Sequence, residues 1–392
     1  MISENMYALG SRRSTIRELF EYGKREALRV GKENIFDFSL GNPSAPPPKE
    51  VEKEILRLLN EEGAGLHGYT SAQGDESVRR AIADGLHKRY GAFISPDRIY
   101  MTCGAAASLC IVLHALGLKG GKVAVQAPYF PEYKVFVEGA GGCLTAVTPK
   151  EEDFDLNLDG FEKTLTPDTY AVLINSPNNP TGVVYSEARL RSLAELLREK
   201  ASAYGHPIYL ISDEPYRELT YGKKVPYLPA LYPDTVICYS YSKSLSLPGE
   251  RIGYIAVPDG VSQGDRLYAA LLGAGRALGY VCAPSLFQRV VKACGELPPD
   301  LDGYRRNRDT LYAALTAMGY SCVVPDGAFY LFVKAPGGDA RAFSERAKDY
   351  HLLVVPSDDF GCPGYLRLSY CVPYERIKRS LVAFGQVKES FS

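Results

Sequence analysis

The amino-acid sequence predicts an α/β fold: a large, mostly parallel, doubly wound sheet domain followed by a smaller α+β domain. Two observations carry this. Six short apolar runs, "RIYMT", "KVAVQ", "AVLIN", "IYLIS", "VICYS" and "GYIAV", fall between residues 98 and 257, and several are separated by segments long enough for a helical crossover. After about residue 280 the texture changes to helical stretches and two further apolar runs.

Taken in order, the opening segment ends in the Pro-rich "GNPSAPPPKE", where Pro46 to Pro48 make a stiff, non-helical connector, so residues 1–47 are expected to pack on the smaller domain. "KEVEKEILRLLN" then sets Val51, Ile55, Leu58 and Leu59 on one side of a helix. Residues 48–280 hold the alternating pattern of the large domain. Residues 281–392 hold helical "FQRVVKACGE" and "DGYRRNRDTLYAALTAMG", strands "GAFYLFVK" and "GYLRLSYC", and a closing helix "YERIKRSLVAFGQV".

Composition excludes several function classes. Lys and Arg number 45 against 46 Asp and Glu, a net charge of −1, so no global field attracts nucleic acid or an anionic membrane. Nine Cys without C-x-x-C fit reduced thiols in a cytoplasmic protein better than disulfides or a zinc site, and the five His lack ligand spacing. The start carries no apolar signal core, and no stretch has the apolar length of a membrane span.

Four strand ends carry unusual polar residues. "AVLIN" leads into "SPNNPTG" with Asn179; "IYLIS" leads to Asp213 and Tyr216 in "SDEPY"; "VICYS" leads to Ser240, Ser242 and Lys243; "RIYMT" leads to Gly104 in "CGAAAS". Singly, each has an ordinary explanation: a turn, a helix cap, a solvated lysine. Together at one edge of an open sheet they read as a ligand site. The chemistry that uses such a set is that of pyridoxal phosphate. It needs a lysine able to lose a proton and form a Schiff base, a carboxylate facing the pyridine nitrogen, and a glycine turn at a helix start with hydroxyls and an arginine fork for the phosphate. Arg251 follows Lys243 in "SKSLSLPGERIGY".

The ordered set "NNPTG", "SDEPY" and "SKSLSLPGERIGY" resembles the fold-type I pyridoxal phosphate enzymes, and within them the class I/II, aspartate aminotransferase-like aminotransferases; the resemblance runs from "FSLGNP" to "YLRLSYC". It implies a seven-stranded sheet and an aminotransferase that moves an amino group between an L-amino acid and a 2-oxo acid through a Lys243 Schiff base. It further implies that Asn179 and Tyr216 bond the ring hydroxyl oxygen and that Asp213 pairs with the ring nitrogen. Ser240, Ser242, Arg251, Gly104 and the N–H groups of Ala105 and Ala106 would surround the phosphate. Phe130 of "APYFPEY" would stack on the ring. Arg367 and Gly41 would meet the substrate carboxylate. Tyr69 of "HGYTSAQG" would reach the neighbouring subunit's phosphate in a homodimer with shared sites.

Two departures are visible. Phe130 stands where many members have Trp, so an indole N–H is lost. Ala106 stands where some aspartate-specific members have Lys. A pyridoxal-phosphate carbon–sulfur β-lyase shares every cofactor residue, and a non-catalytic cofactor-binding regulator is a more distant alternative. Finally, Arg17 sits in the first turn of a helix capped by Ser14 or Thr15, where the dipole disfavours a cation. It is expected either to pair with Glu21 at i,i+4 or to meet the distal carboxylate of a dicarboxylic substrate.

Overall fold

The computed structural model describes residues 2–11, 14–150 and 152–391. Among them run β1 (Phe36–Asp37), β2 (Ile99–Thr102), β3 (Lys122–Gln126), β4 (Cys143–Val147), β5 (Thr169–Asn175), β6 (Tyr209–Asp213), β7 (Thr235–Ser240), β8 (Gly253–Ala256), β9 (Tyr330–Lys334), β10 (Leu352–Leu353), β11 (Val355–Pro356) and β12 (Tyr365–Ser369). One seven-stranded sheet has the order β2-β8-β7-β6-β5-β3-β4. Its neighbours are parallel except β8, which is antiparallel to β2 and β7. The six apolar runs are six of these strands. The seventh, β4, lies at the sheet edge and is only partly buried, so its residues "CLTAV" carry a weaker apolar signal.

Alternate residues of the central strands feed two cores, because successive side chains of a strand point to opposite faces. Val123, Val125, Leu173 and Ile211 pack under helices Ala105–Ala115 and Gly264–Ala277 on one face. Ala124, Val172, Ile174 and Leu210 meet helices Leu158–Thr164 and Glu187–Tyr204 on the other. Both faces are therefore covered, which is why these strands are apolar throughout.

The reversal of β8 between β7 and β2 has a geometric result. The carboxyl ends of β2, β5, β6 and β7 and the amino end of β8 share one edge of the sheet, so the polar residues following the first four lie beside Arg251 and Gly253.

The smaller core gathers Leu311, Leu315, Phe329, Leu331, Phe343, Leu366, Ile377 and Phe384 around the antiparallel sheet β11-β12-β9. The N-terminal segment packs on it: β1 pairs with β10, and Leu19 of helix Thr15–Val30 clusters with Val355 and Phe360. Helix Ser285–Cys294 lies beyond the residue-280 boundary expected from sequence, yet its Val290, Val291 and Cys294 are buried with Val51, Leu58 and Val78. Its apolar stripe thus serves the core of helices Lys49–Glu61 and Glu76–Tyr90. The elements of the smaller core begin with helix Asp302–Ala317.

Candidate active site

The end of β7 sets Lys243. Ser240 caps the short helix Tyr241–Ser244, accepting from the Ser242 N–H at 3.2 Å, and this turn takes the chain out of the sheet. Lys243 Nζ donates to Gly41 O of the N-terminal segment at 2.6 Å. Burial pulls its pKa down to about 8, opposed by Cys371 and helped to a lesser degree by the Arg251 and Arg367 charges. An amine held there is neutral often enough near physiological pH to act as a nucleophile or base.

Asp213 closes β6 and is 5% exposed. Tyr133, itself buried, donates its hydroxyl to Asp213 Oδ2 at 2.5 Å, whereas Oδ1 is buried with no hydrogen-bond partner. Burial pushes the carboxyl up to about 7, with the neighbouring Glu214 charge adding and the Tyr133 hydrogen bond opposing. A buried acceptor left without a donor costs about 1–3 kcal/mol, so Oδ1 suits a ligand that brings a cationic N–H.

"NSPNNPTG" separates into structural and outward-facing amides. Asn175 holds the loop to the sheet: Nδ2 donates to Asp213 O at 3.0 Å, and Oδ1 accepts from the Asn179 N–H at 2.8 Å. Asn178 Oδ1 accepts from the Thr181 N–H and hydroxyl at 3.1 and 2.9 Å. Asn179 faces the smaller domain, its Oδ1 accepting from Arg367 Nη1 at 3.2 Å. Gly182 has φ 73°, and a Cβ there would lie 2.5 Å from Pro325 Cβ, so only glycine lets the two domains close at this point.

Arg367 is 2% exposed, donates from Nη2 to Ser39 O, leaves Nε without a partner, and makes no ion pair among the described residues. A buried guanidinium without a counter-ion is a receptor for a carboxylate.

At the third corner, Gly104 begins helix Ala105–Ala115 with φ 86°; a Cβ there would come within 2.9 Å of Arg251 Nη2. Arg251 Nη1 donates to Ser242 Oγ at 3.4 Å, and Ser242 Oγ lies 2.8 Å from Ser240 Oγ. Helix-start N–H groups, two hydroxyls and a guanidinium make an anion cradle.

The aminotransferase class I and II family description matches residues 33–384 of the chain. The chain belongs to that family. It is similar to a crystal structure of an amino transferase from Eubacterium rectale, at 52% identity and TM-score 0.97, covering 100% of this chain and 99% of that one. It is 31% identical to the probable aspartate/prephenate aminotransferase of Aquifex aeolicus, over 90% of this chain and 91% of the relative. It is 30% identical to aromatic-amino-acid aminotransferase 2 of Thermococcus litoralis, over 94% of each. The protein is a pyridoxal phosphate-dependent aminotransferase acting on amino and 2-oxo acids, with the mostly parallel seven-stranded sheet of that family.

The aminotransferase fold brings most of the expected residues together, with three exceptions or changes. Tyr69 is 98% exposed on its own chain and does not join this site. Arg17 is exposed, and Glu21 pairs with Lys24 at 3.4 Å in place of Arg17. Ser14 occupies the N-cap position without a side-chain bond, while Thr15 Oγ1 donates to Asp359 Oδ2 at 2.7 Å and pins the helix to the smaller domain. A cleft of about 560 Å³ beside this helix, lined by Thr15, Arg25, Arg341 and Lys348 among others, contains none of the expected residues.

Two tyrosines escaped the sequence reading. Tyr133, in "APYFPEY", meets Phe130 edge-on, ring centroids 5.7 Å apart, and donates to Asp213. Tyr330 of β9 lies 2.9 Å from the Tyr216 hydroxyl. Their only sequence signal was a hydroxyl on an apolar strand or helix. Tyr133→Phe removes the donor to Asp213 and keeps the ring; turnover is expected to fall about 10-fold, in line with roughly 1.4 kcal/mol for one charge-assisted hydrogen bond. Steady-state kinetics at saturating cofactor measure this, and an unchanged kcat would show that Tyr133 only fills space.

Proposed function

We propose that Lys243, Asp213, Asn179, Tyr216 and Arg367 form the reaction centre, with Gly104, Ala105, Ala106, Ser240, Ser242 and Arg251 as the phosphate cradle and Phe130 over the ring. The observation that carries this reading is the unpartnered, buried Asp213 Oδ1, placed on the same sheet edge as Lys243 and the glycine cradle. Pyridoxal phosphate, when bound, supplies the electron sink. Lys243 supplies the amine that holds it and then moves a proton at the substrate Cα. Asp213 keeps the ring nitrogen protonated, Asn179 and Tyr216 hold the ring oxygen, and Arg367 with the Gly41 segment orients the α-carboxylate. Fixing that carboxylate and the ring together turns the Cα proton toward Lys243.

The relatives are named for aspartate, prephenate and aromatic amino acids, and Ala106 supplies no cation for a distal carboxylate. The decisive assay is therefore a donor panel of aspartate, glutamate, phenylalanine and tyrosine with 2-oxoglutarate, followed through the cofactor's absorbance and the oxo acid formed. Pyruvate, ammonia and homocysteine from cystathionine, with no oxo-acid-dependent turnover, would replace the reading by β-elimination.

The reading includes a homodimer in which Tyr69 completes the partner's site, supported by its near-total exposure and by the exposed apolar Leu56 and Leu59 of the preceding helix. Tyr69→Ala mixed with Lys243→Ala should then regain activity above both parents. Random pairing makes about half the dimers mixed, each with one intact site. Activity no greater than the sum of the parents would place Tyr69 outside the site. The nine free cysteines suit a reducing cytoplasm.

A further inference from the structure

Tyr330 pairs with Ser369 across β9 and β12, and Phe332 pairs with Arg367. Tyr330 and Arg367 are therefore diagonal neighbours on one face of that sheet. The guanidinium carbon of Arg367 sits 4.8 Å from the Tyr330 ring centroid. The Tyr330 hydroxyl crosses to the large domain and lies 2.9 Å from the Tyr216 hydroxyl, with both side chains buried. On its remaining side the hydroxyl rests on Gly41, where a Cβ would come within 2.1 Å of it. The same Gly41 offers its carbonyl to Lys243. One hydroxyl thus touches the smaller domain, the large domain and the N-terminal segment at the point where all three meet the reaction centre.

We infer that Tyr330 is a positioning residue whose hydroxyl donates to Tyr216, sharpens Tyr216 as a donor to the cofactor's ring oxygen, and ties that oxygen to the arginine that grips the substrate. The inference rests on the reading above for Tyr216. Its logic is one of hydrogens. A phenol has a single O–H, so a Tyr216 that gives its hydrogen to the ring oxygen can keep its bond to Tyr330 only by accepting. A donor that also accepts is polarised and donates more strongly. The charged and titratable groups facing the pair are Arg367 over the Tyr330 ring, Asp213 on the Tyr216 side, Cys371, and Lys243 through Gly41. When a substrate carboxylate engages Arg367, the cation over Tyr330 is neutralised, so carboxylate binding is felt at the ring oxygen through two hydroxyls. A purely packing role predicts otherwise, since the edge-on contacts of Tyr330 with Tyr216 and Phe329 use only the rings.

The test is a pH titration of the near-visible absorbance of the lysine-bound cofactor in the holoenzyme, for wild type, Tyr216→Phe, Tyr330→Phe and the double variant, compared at equal cofactor content. Removing the Tyr216 hydroxyl leaves the ring oxygen's negative charge less stabilised and raises the chromophore's pKa. Tyr330→Phe is expected to raise it in the same direction by about half a unit, a factor of roughly three in the protonation equilibrium. In the double variant the shift should equal that of Tyr216→Phe alone, because the relay has lost its middle member. A Tyr330→Phe titration identical to wild type, or shifts that add in the double variant, would overturn the inference. If Tyr216→Phe itself moves nothing, or the chromophore survives Lys243→Ala, the underlying assignment of Tyr216 or Lys243 fails instead.

Discussion

Lys243→Ala should retain the fold and lose turnover by on the order of 10⁴-fold or more, together with all cofactor that borohydride can fix to the chain. The size follows from two roles on one atom. On the proposed reading the amine would hold the cofactor that Asp213 and the glycine cradle orient, and it would also move the proton at the substrate Cα. Neither role has a substitute at hand: the other cations of the site, Arg251 and Arg367, are guanidiniums that do not deprotonate in this range. The fold should survive because Lys243 gives the structure one hydrogen bond, to Gly41 O, and a contact with the Phe329 ring. Mass spectrometry of the reduced wild-type protein would locate the fixed group, and its appearance on another lysine would overturn the assignment.

Asp213→Asn should bind cofactor and lose about two to four orders of magnitude in turnover, because a neutral amide no longer favours the protonated ring nitrogen. Turnover within a few-fold of wild type would remove Asp213 from the site. The same substitution has a second, independent signature in the cofactor-free protein. The folded Asp213 carboxyl is raised to about 7 from an ordinary 3.8 by burial, so the fold favours its neutral form. That contribution is fully present below the unfolded value and is lost as the pH rises through the folded one. Between those values apo wild type should therefore lose at most about 4 kcal/mol relative to Asp213→Asn, of which roughly 2.5 kcal/mol falls between pH 5 and pH 8. Denaturant unfolding at pH 5 and pH 8 reads this directly, and parallel stabilities of the two proteins would show that Asp213 is not buried as described.

Lys243, Asp213, Asn179 and Gly104 were legible in the sequence because each closes or follows a strand within a few residues, and the carboxyl ends of parallel strands share an edge; Arg251 precedes β8, whose reversal brings its amino end to that same edge. Tyr133 and Tyr330 were not legible, for the opposite reason. Tyr133 lies 80 residues from Asp213 and Tyr330 lies 114 from Tyr216, and each sits in an element whose own pattern calls only for an apolar ring. Helix Ser285–Cys294 shows the same limit at the level of a domain. Its buried Val290, Val291 and Cys294 follow helical spacing, which reveals that one face is covered but not which core covers it. Helical spacing places both Arg17 and Lys24 within reach of Glu21 and does not say which of them pairs with it; the structure pairs Glu21 with Lys24.

The bonds that close the site also tie distant parts of the chain to one another. Lys243 to Gly41, Arg367 to Asn179 and Arg367 to Ser39 join residues 202, 188 and 328 positions apart. Contacts of such sequence separation carry a large loop-closure entropy and are rewarded only after the intervening chain has condensed. Gly182 reinforces this, since the Pro325 segment must already be folded to settle against it. The candidate site is therefore complete only when distant parts of the chain have come together. A cofactor that binds the folded chain alone would stabilise it by mass action, by about 2.7 kcal/mol at a free concentration of about 100 times its Kd.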